Sequence, residues 1–412
     1  MREQLRSEMG LGSDYKLVDR RAQPDPEAGD GSLKNGIYRT IGAAVKDGGG
    51  VIVLLPDVYE ESLLLEAGEK IVALSAAREM LEGDAGDDLP SVAGDGNATI
   101  LGVSFHTVTL LGEAELVGVT VQQRGPGSWF AVACAGGTAS VKKCNIDGAT
   151  SSCVGITAEG AEPTFVDCQI HGSFTGAGVC AFDGAKATLE KCEIYNNKFS
   201  GVEISGANTD VTLKECVVHS NRRDGVLVTD GARSTLEGCH LRRNYHCGLE
   251  VRDKATATAT GNTLESNDFG VVVARSGTAT LSENTIAGNF ITGVELSKAD
   301  VATEEGEEPL PIPELVGNKI NCNLESGLKI WYQGAAKLEK NVIEANLEPI
   351  QMTPRSRRRC ELGETSDEQP SGGCYSRGFG SNIVREYHVL LNPPPPMAED
   401  PTLGLPPGEE HE

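Results

Sequence analysis

The chain has 412 residues, 50 of them Gly, with aromatics at 5% and a formal net charge of −24. That length allows one long solenoid or two to three ordinary domains, and the glycine and aromatic content favours short strands and many turns over a helical bundle. The acidity excludes a general nucleic-acid-binding role, and no run of about 18 apolar residues predicts a membrane span.

The charge is uneven. Lys+Arg against Asp+Glu is 11 to 21 over residues 1–137, 15 to 20 over 138–300 and 10 to 19 over 301–412, so the middle is nearly balanced and the acid sits at the ends. Residues 1–35 lack an apolar core of signal-peptide length and are expected to be flexible. GIYRTIGAAVKDGGG predicts a short helix stopped by glycines, placed to cap the open end of a solenoid. VIVLLPDVYEESLLLEAGEKIVALS predicts three strands with a turn at Pro56-Asp57, followed by an acidic, Gly-rich loop over 75–97. Irregular early coils are expected around Leu101, Val108–Leu111 and Leu116–Val121.

From Cys144 onward an internal period sets in. Cys144, Cys168, Cys192, Cys216 and Cys239 recur every 23 or 24 residues, and Asn262, Asn284, Asn318 and Asn341 continue the column. An apolar residue lies three before each rung and another two after it, as in Leu189-x-x-Cys192-x-Ile194. A second column has Gly followed by alternating apolar residues: Gly201-Val202-x-Ile204, Gly225-Val226-x-Val228, Gly248-Leu249-x-Val251. Alternation at period two marks strands. The pattern predicts an all-β, right-handed parallel β-helix, a single-stranded solenoid of about 23 residues per coil over residues 36–350, with at least two strands per coil and a short N-terminal capping helix. Asn197, Asn221, Asn244, Asn267, Asn289, Asn323 and Asn346 mark the polar corner and suit a stacked ladder. A leucine-rich repeat is set aside: the position two after the Asn holds Phe199, Arg223, His246, Phe269, Ile291 and Glu325, which is no inward column. An acidic, Pro-bearing insert is expected near 299–313, and a largely disordered Pro/Glu-rich tail over 351–412.

The opening GAAVKDGGGVIVLLPDVYEESLLL and rungs such as CEIYNNKFSGVEIS resemble the pectin-lyase-like right-handed β-helix superfamily. Within it the Cys/Asn rungs most resemble the β-helix part of F-box-type substrate adaptors and of the SHC SH2-domain-binding protein. That resemblance implies a substrate-recognition solenoid. The 35 residues ahead of the repeat do not form an F-box.

No catalytic carboxylate cluster, metal-ligand spacing or cofactor motif is visible; Asn208-Thr209-Asp210 is read as chance, and the Cys residues stand a coil apart. The one uneven decoration is basic and aromatic: Tyr195, Lys198, His219, Arg222, Arg223, Arg242, Arg243, Tyr245 and His246 fall at or near one corner of stacked coils. Arg pairs with aromatic neighbours suit a carboxylate, phosphate or sugar ligand. The expected function is therefore a non-enzymatic protein-interaction scaffold, ubiquitin-ligase-adaptor-like, binding a protein partner, an acidic peptide or a polyanionic ligand without a cofactor or metal. Its buried thiols place it in the cytoplasm or nucleus. The alternative is a carbohydrate-active protein: a uronate-polymer lyase, hydrolase or epimerase, or a carbohydrate binder.

Overall fold

The structure, a computed structural model, describes residues 15–22, 32–33, 37–48, 50–66, 68–76, 98–297, 312–332, 334–362 and 381–385. The 77–97 part of the acidic loop, residues 298–311 of the insert, and 363–380 and 386–412 of the tail lie outside the described residues.

Each coil bends twice where the sequence column shows one continuous segment. Lys186–Glu190 and Glu193–Tyr195 are separate strands, joined at Lys191, which holds φ 53°. A coil thus holds three strands, one more than the expected minimum of two. Equivalent strands stack in parallel into a 16-stranded sheet A, a 13-stranded sheet B and a 12-stranded sheet C, with Ser32–Leu33 joining the edge of sheet A antiparallel to Ile37–Tyr38. The result is a right-handed parallel β-helix.

The left-handed position recurs at the A–B bend of successive coils: Asp167, Lys191, Glu215, Gly238, Gly261, Glu283, Gly317 and Lys340 all have φ between 52° and 66°. An L side chain there costs about 1–2 kcal/mol, against roughly 0.5–1 kcal/mol for glycine's greater freedom when unfolded. Glu215→Gly is therefore expected to stabilise the fold by up to about 1 kcal/mol; a clear fall in the thermal midpoint would refute this.

The inward columns are those the sequence shows. Leu189, Leu213 and Leu236 stack in sheet A, Ile194, Val218 and Leu241 in sheet B, and Val202, Val226 and Leu249 in sheet C, all fully buried. The Cys rungs are free thiols at the A–B bend; Cys168, Cys192, Cys216 and Cys239 each point a thiol at backbone carbonyls of their own and the preceding coil. The thiol of Cys192 on the preceding rung, with burial, pushes the Cys216 thiol up to about 12, against the opposing pull of Cys239.

Two Asn ladders run along the helix. Asn197 to Asn346 lie at the B–C corner, and Asn262, Asn284, Asn318, Asn341 and Asn382 at the A–B bend; each side-chain amide donates to a backbone carbonyl of the preceding coil and, short of the terminal Asn346 and Asn382, to the next coil's Asn Oδ1. The second ladder reaches Asn382, and strands Glu361–Leu362 and Ile383–Val384 extend sheets A and B beyond residue 350.

At the other end, helix α1 (Ile41–Lys46) has Thr40 as N-cap and buries Ile41 and Ala44 against the first coils. Glu61 accepts hydrogen bonds from the Ile41 and Gly42 amides, both at 2.7 Å, which completes the helix start. The strand Tyr15–Val18, inside the segment expected to be flexible, pairs with Gly50–Leu54.

Candidate functional site

The outer face of sheet C is the unusual surface. The middle residue of each of its strands points outward, and register lines up Cys180, Glu203, Leu227, Glu250, Val272, Glu295, Lys329 and Gln351. Outward side chains on an open sheet would be exposed, yet Leu227 is 1% and Glu250 9% exposed. The corners on both sides therefore wall the sheet into a trough. The B–C corners bring Arg223, Asp224 and His246, and the C–A corners bring Arg252.

Glu203, Glu250 and Glu295 stand on alternate rungs, so their backbones are roughly 9.6 Å apart. Burial raises the pKa of all three above the usual carboxylate range. Arg223 and Arg252 oppose that rise at Glu203. At Glu250, Asp224 adds to it and Arg252 opposes it. At Glu295 the opposition comes from Lys329 and from the Trp331 Nε1–H, which donates to Oε1 at 3.0 Å. Lys329 lies 4.0 Å from the Trp331 ring centroid, and Tyr332 beside it is 65% exposed, so the trough has an aromatic end.

The raised carboxyl at Glu295 has a stability consequence. Below the unfolded pKa of about 4.3 both states are protonated and the group contributes nothing. As pH rises toward the higher folded value the unfolded chain ionises first and stability falls. Glu295→Gln is thus expected to be more stable than wild type at pH 7 and equal to it near pH 3, in paired urea titrations. A gain of the same size at both pH values would contradict the assignment.

At the trough floor Asp224 is fully buried. Its Oδ1 accepts from His246 Nδ1 at 2.7 Å and from the Cys247 amide at 3.2 Å; its Oδ2 faces Ser200 Oγ and Arg223 Nε, each at 3.3 Å. Asp224 raises the His246 pKa and holds the ring toward its charged form. Glu250 Oε1 lies 3.4 Å from Arg252 Nε, whereas Glu250 Oε2 is buried without a hydrogen-bond partner among the described residues.

The basic-aromatic residues singled out from the sequence do not form one patch. Tyr195, His219 and Arg242 share a column on the outer face of sheet B, where Tyr195 stacks between His171 and His219 at 4.6 and 5.1 Å. His219 is paired to Glu193 at 3.1 Å. Lys198, Arg222 and Tyr245 are exposed at the B–C corners, and Arg243 occupies a left-handed turn position with φ 53°. Arg223 and His246 belong to the sheet C trough. The split follows from the corner itself: residues before the ladder Asn lie on sheet B, and those two after it turn toward sheet C. The sequence reading missed Glu203, Glu250 and Glu295, although they occupy the "x" of each Gly-apolar-x-apolar strand.

A family model described as "Right handed beta helix region" matches residues 152–304. No curated protein sequence matches the chain. Among solved structures it is similar to the mannuronan C-5 epimerase AlgE6 A-module of Azotobacter vinelandii, at 16% identity, over 84% of this chain and 98% of that one, with a TM-score of 0.52. The AlgE4 A-module of the same organism matches at 16% identity over 82% and 97%, TM-score 0.43. The catalytic domain of a GH87 alpha-1,3-glucanase matches at 11% identity over 85% and 70%, TM-score 0.48. The expected adaptor-like, non-enzymatic scaffold is corrected: the F-box-adaptor resemblance finds no support, and the fold is shared with the AlgE6 A-module, a mannuronan C-5 epimerase. A physical reason lies in the trough, where half-buried acids and guanidiniums stand in place of an evenly solvated face.

Proposed function

We propose that the protein acts on a polysaccharide, with a uronate polymer lying along the sheet C trough, by general acid–base chemistry at the carbon bearing the carboxylate. One arrangement carries the reading: Glu203 faces outward on the trough between Cys180 and Leu227, with Arg223 from a B–C corner and Arg252 from a C–A corner, and burial raises its carboxyl above its ordinary value against the pull of both guanidiniums. Removing a proton next to a carboxylate needs a base stronger than a solvated Glu and a cation for the charge that develops on the substrate carboxylate. Glu203 supplies the first, and Arg223 and Arg252 the second. Arg252 Nε lies 3.4 Å from Glu250 Oε1 and its Nη1 donates to Asp253 Oδ2 at 3.1 Å, so the guanidinium is held in place and offers a ligand its positive charge. Trp331 and Tyr332 offer apolar faces for sugar rings farther along the trough. The similar AlgE6 A-module is a mannuronan C-5 epimerase, an activity of the same reaction class.

The test is incubation with a panel of polyuronates and neutral glucans in heavy water. The expected result is deuterium incorporation or chain cleavage in a polyuronate and none in a glucan. Absence of exchange, cleavage and binding across the polyuronates would overturn the reading.

A further inference from the structure

We propose that the floor of the trough is a binding site for one divalent ion of the zinc class, held by Asp224, His246, Cys247 and Glu250. One ligand atom from each of the four lies within 4.8 Å of every other. His246 Nδ1 stands 2.7 Å from Asp224 Oδ1 and 3.2 Å from Cys247 Sγ. A ring nitrogen carries at most one proton, so it cannot donate well to both, whereas an ion between the three satisfies all of them. Independently, Glu250 is 9% exposed and its Oε2 has no hydrogen-bond partner among the described residues. A buried, unpaired carboxylate oxygen beside three convergent ligand atoms needs an explanation, and a cation provides one.

The donor set names the ion. One thiolate, one imidazole and two carboxylates suit tetrahedral zinc, while calcium prefers six to eight oxygens. Binding exchanges the Cys247 S–H bond for an S–metal bond, and the proton leaves to solvent. The ligands are also supported from behind: Ser200 and Arg223 hold the other oxygen of Asp224, and Arg252 holds Oε1 of Glu250. No sequence motif announces the site because its ligands come from two coils: Asp224 from one B–C corner, and His246, Cys247 and Glu250 from the next coil.

Metal binding stands on the geometry alone; a role for the ion in turnover rests on the saccharide reading. The full chain, stripped with a chelator and dialysed, is titrated with Co²⁺ as the spectroscopic probe. One ion per chain is expected, with visible d–d bands and a near-ultraviolet thiolate-to-cobalt band, displaced by Zn²⁺ and not by excess Ca²⁺. Cys247→Ser should lose the thiolate band, and Cys322→Ser, at an exposed thiol, should keep it. Glu250→Gln, which leaves the core untouched, should weaken Co²⁺ binding by about 100-fold or more, since loss of even an outer-shell partner costs 10–100-fold. A missing thiolate band in the wild type, a band that survives Cys247→Ser, or unchanged affinity in Glu250→Gln overturns the site. Polyuronate turnover without Co²⁺ binding sinks the metal site alone, and Co²⁺ binding without turnover sinks the saccharide reading alone.

Discussion

Asn267→Ala is expected to remove about 3–5 kcal/mol of stability, a large part of the 5–15 kcal/mol that folded domains typically have. Asn267 is fully buried at the B–C corner. Its Oδ1 accepts from the Asn244 amide at 2.9 Å and from Asn244 Nδ2 at 3.1 Å; its Nδ2 donates to Leu241 O at 3.0 Å and Asn289 Oδ1 at 3.3 Å. Alanine satisfies none of these. In the preceding coil the Asn244 backbone N–H, one Asn244 Nδ2–H and Leu241 O lose this partner, and in the next coil Asn289 Oδ1 keeps only the backbone N–H of residue 267, at about 1–3 kcal/mol for each buried group not otherwise relieved. Tyr245, 70% exposed and one residue along from ladder Asn244, provides the contrast. Tyr245→Ala should change stability by no more than about 0.5 kcal/mol. Urea denaturation of both variants decides the matter: losses of similar size, or a loss below about 1 kcal/mol for Asn267→Ala, would show that the ladder is not a principal tie between coils.

The second large effect is catalytic. Glu203→Gln is expected to lower kcat on a polyuronate by about 10²–10⁴-fold, the usual contribution of a positioned proton-transfer group. KM should change little, because Gln preserves shape and hydrogen-bonding reach but cannot take a proton at neutral pH. Arg252→Ala should show the opposite split, raising KM for a charged polymer through loss of a carboxylate partner. If Glu203→Gln retained full kcat, Glu203 would not be the base. If Arg252→Ala raised KM equally for neutral and charged chains, the guanidinium would be packing the trough wall instead of reading charge.

How much of this was legible in the chain can be judged residue by residue. The inward columns were, because a one-residue slip would place Leu189 or Ile194 in solvent, so period-two alternation fixes both strand and face. The third strand was not, because the bend at Lys191 leaves no glycine or proline as a signal: a lysine holds the left-handed position. The basic corner was visible as composition, yet sequence proximity hid that Arg223 turns to Asp224 while Arg242 stays on sheet B. Glu203, Glu250 and Glu295 were hidden for a related reason. An outward Glu on a strand ordinarily faces water, and only the walls formed by neighbouring corners make these three half-buried. The metal ligands were least visible, since coil stacking brings Asp224 beside residues 22 to 26 positions later.

The pair of Asn ladders also sets a scale for everything mounted on the surface. From Asn262 onward they tie each turn to the next at two of its three corners, and strand pairing sets the axial step at roughly 4.8 Å throughout. A catalytic group can move along the trough only in whole steps of that ruler. Excision of one complete coil between two site residues would shorten their separation by one step while leaving both walls in phase, whereas removal of a few residues would throw every later side chain out of register.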